Sequence, residues 1–118
     1  MEKLTRQEEG AMQAVWRTGE GAIKQVMENL PASGIPYTTV ASTLRNLERK
    51  GYLSSRMIGK TYLYKPLIGE GEYKRKLMSR LVRDYFHDSY KEVVNFLVEE
   101  AKLGAKELIE IIERIERK

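Results

Sequence analysis

The spacing of apolar residues divides the chain into helical and strand-like segments. Apolar side chains recur three or four positions apart in six stretches, which is the spacing of a helix face. The predicted helices cover about 5–17, 21–30, 38–50, 70–86, 89–102 and a stretch after Gly104. Residues 52–58 and 61–65 instead read as two strands joined at Gly59-Lys60. This order predicts a mainly α protein with one small β-hairpin in its middle.

Polar, Gly and Pro residues mark where several of these helices begin and end. Thr5 and Glu8 have the spacing of a capping box, in which each side chain binds a backbone N–H at the start of a helix. Pro31 stops the second helix, and Gly51 suits the left-handed position that often follows a helix. The fifth helix can be capped by Asp88 or Ser89.

The third predicted helix has one apolar and one polar face. Val40, Leu44 and Leu47 form its buried stripe, so its short polar and basic side chains point mostly outward. A polar helix followed by a basic hairpin is the order of elements in a winged helix-turn-helix, where the helix enters the major groove and the hairpin lies along the DNA backbone. Residues 1–67 are therefore predicted to form a winged-helix DNA-binding domain.

Positive charge is concentrated in the same segment. The whole chain has a net charge of +4, whereas residues 37–65 contain six Lys or Arg and one Glu, a net charge of +5. Residues 68–118 contain eleven basic and eleven acidic residues. A focused positive field favours a polyanionic partner, and double-stranded DNA is the partner that fits a winged helix.

The candidate DNA-binding residues divide into base-reading and backbone-binding groups. Arg45 and Asn46 suit the edges of guanine and adenine, and the hydroxyl residues of the helix can bind bases or phosphates. Lys50, Arg56 and Lys60 are placed for phosphates, which position a protein without reading sequence. The predicted set is Thr38, Thr39, Ser42, Thr43, Arg45, Asn46, Arg49, Lys50, Arg56 and Lys60.

The composition excludes several other classes of protein. With no cysteine and one histidine, the chain offers no disulfide, no thiolate nucleophile and no recognisable metal site. It contains neither a Ser-His-Asp arrangement nor a phosphate-binding loop. No apolar run approaches the roughly 20 residues of a membrane span, and the N-terminus lacks a signal peptide. The sequence therefore predicts a cytoplasmic protein that is not an enzyme and uses no metal or cofactor.

Residues 68–118 are predicted to be a helical arm that joins two copies of the chain. Its apolar stripes are too wide to be buried within about fifty residues alone, and a second copy would cover them. DNA-binding proteins of this size commonly act as two-fold pairs. The alternative is a monomer whose arm folds back on the front domain. The residues predicted to pair are Tyr73, Leu77, Leu81, Tyr85, Val93, Leu97, Leu108, Ile112 and Ile115.

Two motifs resemble those of the penicillinase-repressor family, the BlaI/MecI type, with the CopY copper repressors as relatives. The first runs from Tyr37-Thr38-Thr39-Val40-Ala41 through Leu44 to Leu47-Glu48-Arg49-Lys50-Gly51-Tyr52-Leu53. The second is Ile58-Gly59-Lys60-Thr61-Tyr62-Leu63-Tyr64-Lys65-Pro66. Together with Leu4-Thr5, Val15-Trp16 and the arm from Glu72-Tyr73 onward, the resemblance covers nearly the full length.

The resemblance implies a homodimeric transcriptional repressor with an N-terminal winged helix and a C-terminal dimerisation arm. Family members bind palindromic operators and block transcription of antibiotic-resistance or related genes. Repression is relieved when a membrane sensor–protease triggers cleavage in the arm, which in the penicillinase branch falls at an Asn–Phe bond. Asn95-Phe96 occupies the corresponding place here. A cut there would remove the gain in affinity from bivalent binding.

Two departures from the family pattern limit what the resemblance implies. Many members carry Asn-Arg where this chain has Arg45-Asn46, so the operator sequence does not carry over. The copper branch senses metal through a cysteine-rich C-terminal motif, and this chain has no cysteine. Two other functions stay open, namely a winged-helix regulator induced by a small ligand and a protein-interaction module that does not contact DNA.

Overall fold

The computed structural model describes residues 3–100 and 104–116, which contain six helices and two strands. The helices are α1 (Arg6–Thr18), α2 (Ile23–Glu28), α3 (Tyr37–Arg49), α4 (Glu70–Tyr85), α5 (Tyr90–Glu99) and α6 (Ala105–Glu116), and the strands are β1 (Leu53–Ile58) and β2 (Thr61–Pro66). The predicted order of elements is confirmed. The chain packs as two compact units, the front unit Met1–Tyr73 and the arm unit Lys74–Lys118.

The predicted capping box starts α1. The Glu8 N–H donates to the Thr5 hydroxyl over 3.1 Å, and the Thr5 N–H donates to the Glu8 carboxylate over 2.8 Å. Met12 and Val15 turn inward from this helix and are completely buried. The helix ends at Thr18, and the following Gly19, whose φ is 83°, lets the chain turn toward α2 at little steric cost.

The second helix is shorter than the spacing of apolar residues predicts. A helix is expected over 21–30, but α2 begins at Ile23 because Gly21 pairs with the hairpin instead. The Gly21 N–H donates to the Tyr64 carbonyl over 3.0 Å, and the Tyr64 N–H donates to the Gly21 carbonyl over 2.8 Å. This bridge attaches the start of α2 to the edge of β2.

The hairpin has one face on the core and one face in solvent. Its strands are antiparallel and pair from Leu53 opposite Pro66 at the base to Ile58 opposite Thr61 at the turn. Leu53 and Tyr64 point to the core and are buried, while the turn end of the hairpin is exposed. The strands agree with the predicted 52–58 and 61–65 to within one residue at each end.

The core of the front unit lies where the first three helices meet the base of the hairpin. Its buried apolar residues include Met12, Val15, Val26, Val40, Leu44, Leu47, Leu53 and Ile68. At the edge of this core the Trp16 Nε1–H donates to the Ile68 carbonyl over 2.9 Å, and the Trp16 ring lies 5.4 Å from the Tyr73 ring. These two contacts attach the first turn of α4 to the front unit, so the unit extends beyond residue 67.

In the arm unit, a tight turn separates α4 from α5. His87 and Asp88 have positive φ angles of 53° and 59°, and the Asp88 N–H donates to the Val82 carbonyl over 3.1 Å. Ser89, one of the two predicted caps, then accepts a hydrogen bond from the Glu92 N–H over 3.1 Å. The spacing predicts that α5 continues to about residue 102, but the helix ends at Glu99 with Glu100 as its C-cap, and residues 101–103 lie outside the described residues.

Candidate nucleic-acid interface

The helix α3 presents a polar face to solvent from a firmly packed position. Its inner side consists of Val40, Ala41, Leu44 and Leu47, none of which is more than 6% exposed. Most of the predicted reading residues lie on the outer side: Thr38, Ser42, Arg45 and Arg49 are exposed, and Thr39 and Asn46 are half-buried. The buried stripe holds the helix in place, so the outer side chains project together, as entry into a major groove requires.

Thr43 departs from this picture. The sequence places it among the outward residues, but its side chain is 6% exposed and its hydroxyl donates to the Thr39 carbonyl over 2.7 Å. Thr43 follows Val40 by three positions and precedes Leu47 by four, so it lies at the border of the apolar stripe. The expected outward orientation of Thr43 is therefore wrong, because the side chain is covered and its hydroxyl proton is used within α3, whereas its DNA contact stays a prediction.

The reading residues differ in how they are held. Arg49 Nη2 donates to Asn46 Oδ1 over 2.6 Å, one turn earlier in α3. Arg45 forms no hydrogen bond or ion pair with the described residues. An Asn reads adenine with both its carbonyl and its amide group, so the Asn46 carbonyl would have to be shared between Arg49 and the base. Arg45 can bind guanine without first losing a partner in the protein.

Lys50 is used inside the front unit. Its Nζ lies 2.7 Å from Glu8 Oε1, and the two side chains are 18% and 7% exposed. Burial alone would raise the pKa of Glu8, but the hydrogen bonds from Lys50 and Thr5 outweigh it, and the pKa lies below its ordinary value of 4.5. The pair attaches the end of α3 to the start of α1. A phosphate contact by Lys50, as the sequence predicts, would have to break this pair.

Arg56 is also paired, but in solvent. Its Nε and Nη2 donate to the two carboxylate oxygens of Glu20 over 3.0 and 2.7 Å. These hydrogen bonds raise the pKa of Arg56 and lower the pKa of Glu20. Because the Arg56 side chain is 60% exposed, the pair is accessible to competing anions. The predicted phosphate contact of Arg56 therefore competes with Glu20.

Lys60 stands at the turn of the hairpin, is exposed and forms no ion pair with the described residues. It borders a cleft of about 410 Å³ together with Lys24, Tyr37 and Tyr62. Lys24 and Tyr37 are not among the DNA-binding residues predicted from the sequence, because they are distant from the hairpin along the chain. The only local signal was the position of Tyr37, directly before the polar helix.

Comparison with known proteins identifies the class to which this arrangement belongs. Residues 4–117 match the sequence profile of the family described as penicillinase repressor. The chain belongs to the penicillinase repressor family. It is a DNA-binding transcriptional regulator and not an enzyme. The predicted resemblance is thereby confirmed, although a comparison with the sequences of curated proteins found no match.

The fold of the repressor also occurs in a solved structure of BpsR from Bordetella bronchiseptica, a protein whose DNA binding is regulated by 6-hydroxynicotinic acid. The TM-score is 0.51 at 16% sequence identity, and the match covers 98% of this chain and 74% of that chain. At this identity the likeness concerns the fold alone.

The arm unit of the repressor exposes many apolar side chains. Leu77, Leu81, Tyr85 and Ile112 are between 40% and 76% exposed. Val93, Leu97 and Leu108 are half-buried. Within residues 3–100 and 104–116, none of the helices combines the length and apolar character of a membrane span. Large apolar side chains that are exposed together on a protein surface commonly mark an interaction site.

Two of the predicted pairing residues stand apart from this surface. Tyr73 belongs to the front unit, where its hydroxyl donates to Glu9 Oε2 over 3.2 Å and its ring packs on Trp16. Its ring packs at the edge of that core and is not part of the apolar surface of the arm. Ile115 belongs to α6, but its side chain lies outside the described part of the structure.

The Asn95–Phe96 bond lies within α5. Asn95 is exposed, and Phe96 is 47% exposed with its ring 5.7 Å from that of Phe86 in an edge-on contact. The Phe96 carbonyl accepts a hydrogen bond from the Glu100 N–H over 3.0 Å, so the bond is held in helical geometry. A protease that requires an extended substrate could cut here only after α5 opens locally.

Proposed function

We propose that the repressor binds a two-fold symmetric DNA operator as a homodimer. The observation that carries this proposal is the exposed polar face of α3, which stands on a fully buried stripe beside a basic hairpin. The outer face of α3 would read base edges in the major groove, and the hairpin would act as the wing that contacts the backbone.

The hydrogen bonds of the unbound protein suggest different roles for the polar residues. Arg45 is the principal base-reading residue, because it is exposed and has no partner to lose. Asn46 reads a neighbouring base while its carbonyl also accepts from Arg49. Lys60 binds a phosphate from the wing, where it positions the protein without reading sequence.

The exposed apolar side chains of the arm unit support the two-fold arrangement. Leu77, Leu81 and Ile112 are exposed in the single chain, and a second copy would remove them from water. Two joined front units would then bind two half-sites of one operator. Binding of the first half-site raises the effective concentration of the second front unit, so the dimer binds much more tightly than either unit alone.

A selection experiment tests the proposal. The full chain should enrich a two-fold symmetric site from a pool of random duplexes. On that site, Arg45→Ala should weaken binding by about 1–3 kcal/mol and relax one base position in each half-site. Lys60→Ala should weaken binding to all duplexes alike and reduce its salt dependence. Absence of enrichment together with absence of binding in low salt would favour a protein-interaction module.

Relief of repression by a cut at Asn95–Phe96 fits the same arrangement. The cut would detach the end of α5 and all of α6, and with them Ile112 and its exposed neighbours. A chain that ends at Asn95 should therefore sediment as a monomer and bind the selected site with the affinity of one front unit. Retention of the dimer and of tight binding would count against cleavage as the inducing event.

A further inference from the structure

A basic cleft lies between the start of α2, the start of α3 and the turn of the wing. Its volume is about 410 Å³, and its lining residues are Ala22, Ile23, Lys24, Tyr37, Lys60, Thr61 and Tyr62. None of these residues is acidic. Lys24 and Lys60 are exposed, and neither forms an ion pair with the described residues. Two uncompensated ammonium groups at one concave surface favour an anionic ligand.

The rest of the lining suits a ligand that is not only an anion. Ile23 supplies an apolar wall, and Tyr37 and Tyr62 are 50% and 51% exposed, so their rings and hydroxyls are both available. A phosphate group alone would use the two lysines and leave the aromatic surface uncovered. A sugar–phosphate unit of DNA has a charged part for the lysines and an apolar ring face for the tyrosines.

The cleft directly adjoins the start of the reading face of α3. Tyr37 is the first residue of α3 and directly precedes the exposed Thr38. Lys60 lies at the turn of the wing. The bridge between Gly21 and Tyr64 joins the start of α2 to β2, so two of the three segments that line the cleft are attached to each other before a ligand binds.

We propose that this cleft seats one sugar–phosphate unit of the DNA strand that borders the groove read by α3. Lys24 is then a backbone-binding residue that lies outside both α3 and the wing. The inference rests on the DNA-binding function proposed above, and it specifies where one sugar–phosphate unit of the DNA backbone binds.

A second cleft beside the wing differs from the first in the charge of its lining residues. It has a volume of about 250 Å³ and is lined by Glu20, Ser54, Ser55, Arg56, Leu63 and Lys65. Here the carboxylate of Glu20 already neutralises Arg56 at 2.7 Å. The lining of the second cleft therefore has a net charge of +1, from Lys65, whereas the lining of the first has a net charge of +2.

The salt dependence of binding to a random-sequence duplex tests the seat. Lys24→Gln should reduce the slope of log affinity against log salt by about 1, because one fewer counterion is released. Lys24→Arg should keep the native slope. The matched control is Arg6→Gln, which removes the same charge near the opposite end of α3. Arg6 is two residues from Glu8, and Glu8 binds Lys50, which directly follows the last residue of α3. The cleft lies at the first residue of α3, and the 13 residues of this helix span about 20 Å.

Phosphate ethylation on the selected operator gives a second readout. One phosphate in each half-site should weaken binding of the native protein when ethylated, but should not weaken binding of Lys24→Gln further. If the native protein binds no duplex in low salt, the proposed function fails and the seat fails with it. If the native protein binds and Lys24→Gln behaves like Arg6→Gln in both assays, the seat is wrong and the DNA-binding function stands.

Discussion

Lys50 and Lys60 carry the same charge in neighbouring segments, but their surroundings separate them. Lys50 is 18% exposed and lies 2.7 Å from the Glu8 carboxylate, whereas Lys60 is exposed at the turn of the wing. The charge of Lys50 is neutralised within the front unit, so DNA binding would not release a counterion for it. The sequence cannot distinguish the two residues, because Glu8 is 42 positions away from Lys50.

Neutralising Lys50 should therefore affect folding stability, whereas neutralising Lys60 should affect DNA binding. Lys50→Gln should lower the free energy of unfolding by about 1–3 kcal/mol, because Glu8 loses a charged hydrogen-bond partner while it stays buried. Lys60→Gln should leave stability unchanged and reduce the salt slope of DNA binding by about 1. Urea unfolding and salt titration measure the two quantities. Equal changes in the salt slope for both variants would contradict the separation.

The Glu8–Lys50 pair also predicts a pH dependence of stability. The pKa of Glu8 in the folded protein lies below its ordinary value of 4.5. A carboxylate of this kind contributes stability above its unfolded-state pKa and loses it as the pH falls through the folded-state value. The difference in unfolding free energy between the native chain and Lys50→Gln should thus be complete at about pH 6 and shrink below about pH 4. A difference that is equal at both pH values would argue against the pair.

Gly21 controls how the wing is attached to the helices. A Cβ atom at this position would lie 2.6 Å from Thr18 Cγ2. Thr18 cannot easily turn away, because its hydroxyl donates to the Ala14 carbonyl over 2.8 Å and accepts from Asn29 Nδ2 over 2.9 Å. Any side chain at Gly21 must therefore displace either these hydrogen bonds or the bridge to the wing.

Two Gly→Ala substitutions should consequently change stability in opposite directions. Gly21→Ala should destabilise the protein by about 1–3 kcal/mol, as overpacking commonly does, and should weaken DNA binding through the displaced wing. Gly10→Ala is the control, because it lies within α1 and its added Cβ would meet Pro31 Cγ at an ordinary 3.5 Å. It should stabilise the protein by about 0.5–1 kcal/mol. Thermal unfolding of the two variants decides between these signs, and stabilisation of Gly21→Ala would refute the steric argument.

The elements that local signals specify were predicted well, and those that depend on distant contacts were not. The capping box of Thr5 and Glu8 and the alternation of the hairpin need only a few neighbouring residues, and both are confirmed. The predicted start of α2 is wrong because the backbone of Gly21 forms hydrogen bonds with Tyr64, which is remote along the chain. The same holds for the site, since the reading face follows from helical periodicity whereas the basic cleft joins three separate segments.

The whole repressor combines a well-buried front unit with an arm unit that leaves much apolar surface exposed. Among the described residues of the arm, Val82 is the fully buried apolar side chain, whereas Leu77, Leu81 and Ile112 keep at least 40% of their surface exposed. Such a surface is unfavourable in water for a single chain. We therefore expect the strength of DNA binding to depend on pairing of the arms as well as on the reading residues.

Leu81→Gln and Leu67→Gln test whether the arm pairs, because the two substitutions are chemically identical but lie in different units. Leu81 is 40% exposed in the arm, and Leu67 is 59% exposed in the front unit. If a second copy covers Leu81, its substitution should weaken dimerisation by about 10- to 100-fold, which corresponds to about 1.4–2.8 kcal/mol. Leu67→Gln should leave the sedimentation behaviour native.

Operator binding extends the same test to function. At protein concentrations below the dimerisation constant of Leu81→Gln, its affinity for the full operator should fall toward its affinity for an isolated half-site, because the two front units are no longer joined. Its affinity for the half-site should remain native, since the reading face of α3 is untouched. A variant that is monomeric but binds the full operator like the native protein would show that the arm does not supply the second contact. The proposed two-fold mechanism would then have to be abandoned.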